Sequence, residues 1–177
     1  LIKYDLVKLA IEYITEKNKV HNRSIRFVVT TTLHQLTSEM CLFFKEHQVV
    51  LSTSIDGLVD LHNKNRPIAN RDAYERTIEG LELARQELGQ DSVSALMTTT
   101  RKSLDYPNEI VDAYVQLGFK DIFIRGLSDY GFAKKNSKRL APTNAEFLDF
   151  YEKALERVIY WNDRGYALIE VHSAILL

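Results

Sequence analysis

The sequence predicts an α/β protein in which parallel strands alternate with helices. Two observations lead there. Runs rich in β-branched and aromatic residues recur at Ile25-Arg26-Phe27-Val28-Val29, Val49-Val50-Leu51-Ser52-Thr53-Ser54, Val93 to Met97 and Ile122-Phe123-Ile124, and such runs suit the pleated, half-buried surface of a sheet. Between them lie stretches in which apolar residues return every three or four positions, the spacing of one helical face. Strands separated by helices imply crossovers and a parallel sheet. About four parallel strands in sequential order are expected, near residues 25–31, 49–54, 92–99 and 120–126. On this pattern alone, an arc of a barrel and an open doubly wound sheet both fit.

The elements follow in order. Helical spacing appears first at Leu6, Leu9, Ala10, Tyr13 and Ile14. Thr37 or Ser38 suits the N-cap of a helix that buries Met40, Phe43 and Phe44, because a hydroxyl there accepts from an otherwise unpaired backbone N–H. Residues 55 to 70 read as a loop opened by the turn signal Asp56-Gly57. Tyr74, Ile78, Leu81 and Leu88 lie close to one helical face, which Gly89 closes. Pro107 sits where a first helical turn tolerates it, ahead of Ile110, Tyr114 and Leu117, and Gly118 stops that helix. A long loop after the fourth strand carries Lys134, Lys135, Lys138 and Arg139 and reads as solvated. Thr143-Asn144-Ala145-Glu146 has the form of a capping box and opens a helix with Phe147, Phe150, Tyr151, Leu155 and Val158. A last extended piece is expected from Tyr166 to Val171.

Composition narrows the function classes. With 177 residues the chain suits one domain spanning 1–177. Its 45% hydrophobic and 27% charged residues are those of a globular protein, and a net charge of -1 supplies no strong field for nucleic acid or anionic lipid. No apolar run approaches a membrane span. The one cysteine, Cys41, has no internal partner for a disulfide, which fits a reducing, cytoplasmic setting; inside a helix it reads as a small buried hydrophobe. The chain opens at Leu1 within a helical pattern and closes on the apolar run Ala174-Ile175-Leu176-Leu177. An internal piece of a larger protein is therefore expected.

Parallel sheets place their sites beyond the carboxyl ends of the strands, and here those ends are polar. They read Thr30-Thr31-Thr32, Ser52-Thr53-Ser54-Ile55-Asp56-Gly57, Thr98-Thr99-Thr100-Arg101 and Arg125-Gly126. Hydroxyls and guanidiniums bind carboxylate, ribose or phosphate, although strand ends are also simply exposed and threonine is a good strand residue. His62 reads as a packing or capping residue. The other histidines show no metal-ligand spacing.

Ser54-Ile55-Asp56-Gly57, followed by His62 and Arg66, resembles the serine-x-aspartate-glycine segment of radical SAM enzymes similar to anaerobic sulfatase maturases. Ser94 to Thr100, Leu127 to Ala133 and Phe147 to Tyr151 are similar to one branch, the radical SAM maturases of the His-Xaa-Ser system. The resemblance implies an arc of a partial (β/α)6 TIM-like barrel. It implies a parent enzyme that binds S-adenosylmethionine on a [4Fe–4S] cluster, cleaves it reductively, and modifies a peptide or protein substrate. Cofactor-binding roles are carried over to Ser54 and Arg66, near the carboxylate of S-adenosylmethionine, to Asp56, which would shape the turn, and to Thr31 and Thr99, with Thr100 as the alternative to Thr99 near the nucleoside.

The chain departs from the family pattern. It lacks the CxxxCxxC loop and the glycine-rich segment after the second strand, and it has Leu58 and Asn63 where proline and aspartate are frequent. No cofactor is expected to bind this chain stably, and no catalysis is expected from it alone. The alternative is a non-catalytic α/β module that binds a ligand or protein. If strands are missing, the run Ile25–Thr30 becomes an open edge with Phe27, Val29 and Leu51 partly exposed, which favours a homodimer.

Overall fold

The computed structural model describes residues 3–127, 136 and 139–176. The expected strands form: β1 (Val28–Thr30), β2 (Val50–Ser54), β3 (Val93–Thr99) and β4 (Asp121–Gly126), joined by a short fifth, β5 (Ile169–Glu170). All lie in one sheet in the order β1-β2-β3-β4-β5, with parallel pairing of β1 to β2, β3 to β4 and β4 to β5. Strictly sequential order means that the winding does not reverse among the described strands, which show no switch point of the doubly wound kind.

Each predicted cap forms. Thr37 caps α2 (Ser38–Glu46), its side chain accepting from the Met40 N–H. Pro107 opens α5 (Pro107–Gln116). Thr143 and Glu146 complete a reciprocal capping box at the start of α6 (Asn144–Asn162). Three readings are corrected, those of residues 59–65, of Leu51 and of Arg139. Residues 59–65 are not loop but a helix, α3 (Val59–Asn65). In α1 (Tyr4–His21) the buried side is the one carrying Ile11, while Leu6, Leu9 and Tyr13 are exposed; the stripe richest in leucine is the outer one. Leu51 is fully buried, whereas Phe27 and Val29 are half-buried. Lys134, Lys135 and Lys138 lie outside the described residues; Asn136, Arg139 and Leu140, from the same stretch, are helical. The C-terminal run forms α7 (Val171–Leu176). No helix among the described residues is long and apolar enough to cross a membrane.

The chain divides into two compact units. The first comprises Leu1–Thr53 and Glu75–Ser94. Its core holds Phe44, Cys41, Leu51 and Leu81, with Tyr4 edge-on to Phe43 and Phe44 at ring separations of 6.1 Å. The helix α4 (Ala73–Leu88) passes so close to the Leu33 turn that a Cβ at Gly80 would lie 2.6 Å from the Leu33 carbonyl oxygen, so glycine is required by space there.

The second unit comprises Ser54–Tyr74 and Ala95–Leu177. Ile110, Tyr114, Ile122, Ile124 and Phe150 are its buried centre. Asp112 ties α5 to α6, accepting from Arg157 Nε and Nη2 at 2.7 and 2.8 Å and from Trp161 Nε1 at 2.6 Å. Partial burial pushes the Asp112 carboxyl up, but the bonds from Arg157 and Trp161 outweigh it and hold the group below the usual carboxylate range. Glu170 closes the sheet at β5. Its buried carboxylate accepts from the Ile124 and Ser173 N–H groups and from the Tyr151 hydroxyl.

Asp112→Ala is expected to destabilise the chain by about 1–3 kcal/mol, the range for a lost charge-assisted hydrogen bond. Because the carboxyl is depressed on folding, its contribution is present above the unfolded value, about pH 4, and is lost as pH falls through the folded value. Urea denaturation at pH 7 and again below about pH 3 checks both: the difference between wild type and variant should be clear at pH 7 and shrink in acid.

Candidate functional site

In the second unit the end of β2 runs directly into a turn that gathers polar groups. Ile55 extends the ladder, its N–H donating to the Leu96 carbonyl at 3.0 Å, which sets Ser54 beside Leu96. The Ile55 carbonyl accepts from the Tyr114 hydroxyl at 2.8 Å. Burial raises the Tyr114 phenol well above its usual value, so this donor keeps its proton at any ordinary pH. Gly57 then turns the chain with φ of +94°, and a Cβ there would meet Ile110 Cγ1 at 2.8 Å. Both backbone conformation and space demand glycine.

Asp56 is the hub. The residue is only 1% exposed. Its Oδ2 accepts from Arg66 Nε at 2.9 Å, and its Oδ1 accepts from Arg66 Nη2 at 3.1 Å and from the Thr98 N–H at 3.2 Å. Its own N–H donates to His62 Nδ1 at 3.3 Å, which leaves the ring hydrogen of neutral His62 on Nε2. His62 is fully buried and stands edge-on to Tyr74 at 5.7 Å. Asp56 thus joins the β2 turn to the middle and the C-terminal end of α3 and to the end of β3.

Beyond this hub opens a cavity of about 410 Å³, lined in part by Asp56, Asn65, Arg66, Thr98 and Thr100. The Thr100 hydroxyl donates to Asn65 Oδ1 at 3.2 Å, and the Thr100 N–H donates to Ser103 Oγ at 3.0 Å. Asn65 Nδ2 is buried without an acceptor among the described residues.

The candidates named from the sequence are distributed as follows. Ser54 is half-exposed at the end of β2. Asp56 and Arg66 are paired to each other as a bidentate ion pair, so most of the Arg66 guanidinium is engaged internally. Thr99 is fully buried, its hydroxyl 3.9 Å from Met97 Sδ; it is Thr98 and Thr100 that line the cavity. Thr31 belongs to the first unit, at the end of β1, where its N–H donates to the Ser52 carbonyl at 2.9 Å and its Oγ1 accepts from the Leu33 N–H at 3.1 Å. The sequence names Thr98 only among the polar strand ends and gives Asn65 no role. Period-two alternation separates Thr98 from Thr99, but their facing is set by the strand's register.

Arg125 lies beside Thr98 in the β3–β4 register, on the half-exposed face shared with Leu96 and Phe123. Its Nε is buried with no acceptor among the described residues. The donor set here, Ser54, Thr98 and Arg125, suits a ligand with carboxylate and hydroxyl groups, and in this respect the residues fit S-adenosylmethionine. They do not fit an iron–sulfur cluster. Such clusters need several thiolates, and Cys41 is the chain's single cysteine. It is fully buried, and burial, helped by the charge of Glu87, pushes its thiol up to about 11. Among the described residues no group of three or more His, Cys, Asp or Glu is placed to hold a metal ion.

Comparison with known proteins agrees on the fold. The chain is similar to native anSMEcpe with bound AdoMet, with a TM-score of 0.76 and 16% identity over 89% of this chain and 43% of that one. It is similar to native anSMEcpe with bound AdoMet and Kp18Cys peptide, with a TM-score of 0.77 and 16% identity over 90% and 43%. At these identities the likeness is one of fold. By sequence, it is 28% identical over 114 residues to the uncharacterized protein sll1766 of Synechocystis sp., which covers 64% of this chain and 28% of that protein. The chain thus spans less than half the length of each of these proteins. No family model matches.

Removing the charge at the hub tests its structural weight. Asp56→Asn is expected to cost about 2–3 kcal/mol, less than the roughly 3–5 kcal/mol of a fully buried pair, because the Arg66 side chain stays 30% exposed. Denaturant titration measures the loss. A cost under about 0.5 kcal/mol, the range of an ordinary surface substitution, would mean that the pair does not anchor the turn.

Proposed function

We propose that this chain is part of the barrel of a radical SAM enzyme that modifies a peptide or protein, and that its strand ends help to seat S-adenosylmethionine. The observation that carries this reading is the placement of the Ser54-Ile55-Asp56-Gly57 segment. It sits at the carboxyl end of a parallel strand, and the surrounding fold matches anSMEcpe structures that hold AdoMet and, in one case, a peptide. The orphaned Nε of Arg125, the strand partner of Thr98, supports a ligand with a carboxylate.

When bound in the complete enzyme, the cluster and S-adenosylmethionine supply the radical chemistry. The residues of this chain bind and orient. Ser54 donates from the end of β2. Arg125 and Thr98 offer a guanidinium and a hydroxyl from neighbouring strands. The Asp56–Arg66 pair holds the rim on which they stand, and Thr100 is fixed by Asn65 and Ser103. None of these residues is a proton carrier, so their work is positioning.

In a longer protein that carries this chain and binds the cluster, Ser54→Ala is expected to weaken S-adenosylmethionine binding by about 1–3 kcal/mol, the loss of one buried or charge-assisted bond. Calorimetry reads this directly; unchanged affinity counts against the assignment. The 177-residue chain by itself is expected to take up no stoichiometric four-iron cluster on anaerobic reconstitution with iron and sulfide. Iron counting that finds four irons per chain would overturn the argument from Cys41.

A further inference from the structure

The lining of the 410 Å³ cavity is strongly one-sided in charge. Among the described residues it carries Lys64, Arg66, Arg101, Lys102 and Arg139 against one carboxylate, Asp56. Two of these cations are already answered. Arg66 is paired with Asp56, and Arg101 Nη1 lies 3.2 Å from Glu146 Oε1. Lys64, Lys102 and Arg139 remain. Asp60 and Asp105 line a neighbouring cavity with the same two lysines, but neither is in salt-bridge reach of them among the described residues. The second observation is independent of charge: Asn65, on the same wall, has its amide nitrogen buried with no acceptor among the described residues. A buried donor without a partner costs free energy that a ligand oxygen recovers. Surplus cations and an orphan donor on one wall call for an anionic oxygen.

We infer that this cavity receives a carboxylate side chain of an acidic peptide, with Lys64, Lys102 and Arg139 supplying the charge and Asn65 the directed hydrogen bond. This rests on the reading of the parent as a peptide-modifying enzyme and names the chemistry of its substrate. The same lining would accept the carboxylate of S-adenosylmethionine, so the test must separate the two sources. Lys64 and Lys102 are exposed, which makes their replacement safe for folding.

The test uses the 177-residue chain and two fluorescent peptides, identical except that one carries a Glu-Glu pair and the other Gln-Gln. Fluorescence anisotropy in about 50 mM salt, where the Debye length is still above about 10 Å, should show the acidic peptide binding at least about ten-fold tighter, which corresponds to about 1.4 kcal/mol. The preference should fall as salt rises. Lys64→Ala with Lys102→Ala should weaken the acidic peptide at least about five-fold, roughly half a kcal/mol per exposed cation, with an unchanged thermal melt. S-adenosylmethionine should not displace the peptide. Equal binding of the two peptides overturns the inference, as does indifference to the double variant. Competitive displacement by S-adenosylmethionine also overturns it, by assigning the cavity to that ligand. These outcomes are distinct from the Ser54→Ala measurement: loss of the acidic preference leaves the S-adenosylmethionine reading intact, and a failed S-adenosylmethionine assignment leaves the peptide result standing.

Discussion

The buried carboxylate of Asp56 is the constraint on which the rim of the second unit depends. A carboxylate that is 1% exposed is costly unless its oxygens are answered, and here they are answered by two different pieces of chain while a third, His62, holds the backbone. Arg66 closes α3 back onto the turn, the Thr98 N–H ties in β3, and His62 takes the turn's own N–H. Loss of the charge leaves the Arg66 guanidinium without its counter-ion and removes one of the two acceptor oxygens that Arg66 and the Thr98 N–H share. Gly57 makes the arrangement possible, since any side chain would press on Ile110.

From this anchoring follows the character of the site. Because Asp56 and Arg66 satisfy each other, they contribute rigidity and little net charge. The groups left to meet a ligand are those one step further out: the hydroxyls of Ser54 and Thr98, the Arg125 guanidinium, the Asn65 amide nitrogen and the outer lysines. Nearly all are donors. A surface of positioned donors and cations suits an anionic or hydroxylated ligand.

The sequence makes the strand positions, the caps and the sequential parallel order legible because these rest on local signals. Val49 to Ser54 is β-branched and short, Thr143 and Glu146 stand at capping-box spacing, and Pro107 can only open a helix. What it hides is decided by tertiary contacts. The helix α3 is seven residues long, with polar Asp60, Asn63, Lys64 and Asn65, below the length at which propensity alone sustains a helix; the His62 and Arg66 bonds to Asp56 hold it. On α1 the Leu6, Leu9 and Tyr13 stripe is the more apolar reading, yet Ile11 is the side that packs. At Thr98 and Thr99 the alternation is certain, but only the pairing of Ser54 with Leu96 and of Thr98 with Arg125 decides which threonine meets the cavity. Arg66 shows the same limit: its resemblance to a cofactor ligand is plain in the sequence, and its engagement by Asp56 is visible only in three dimensions.

The central claim is that the carboxyl ends of β2, β3 and β4 in the second unit form one ligand-facing surface. Amide NMR during a titration of the 177-residue chain with S-adenosylmethionine tests it most directly, because chemical shifts register weak binding without any cluster. The account predicts shifts concentrated at Ser54, Thr98, Thr100 and Arg125, with the remote Asp112–Arg157 contact unmoved. Shifts confined to other parts of the chain, or none at millimolar ligand, would contradict it.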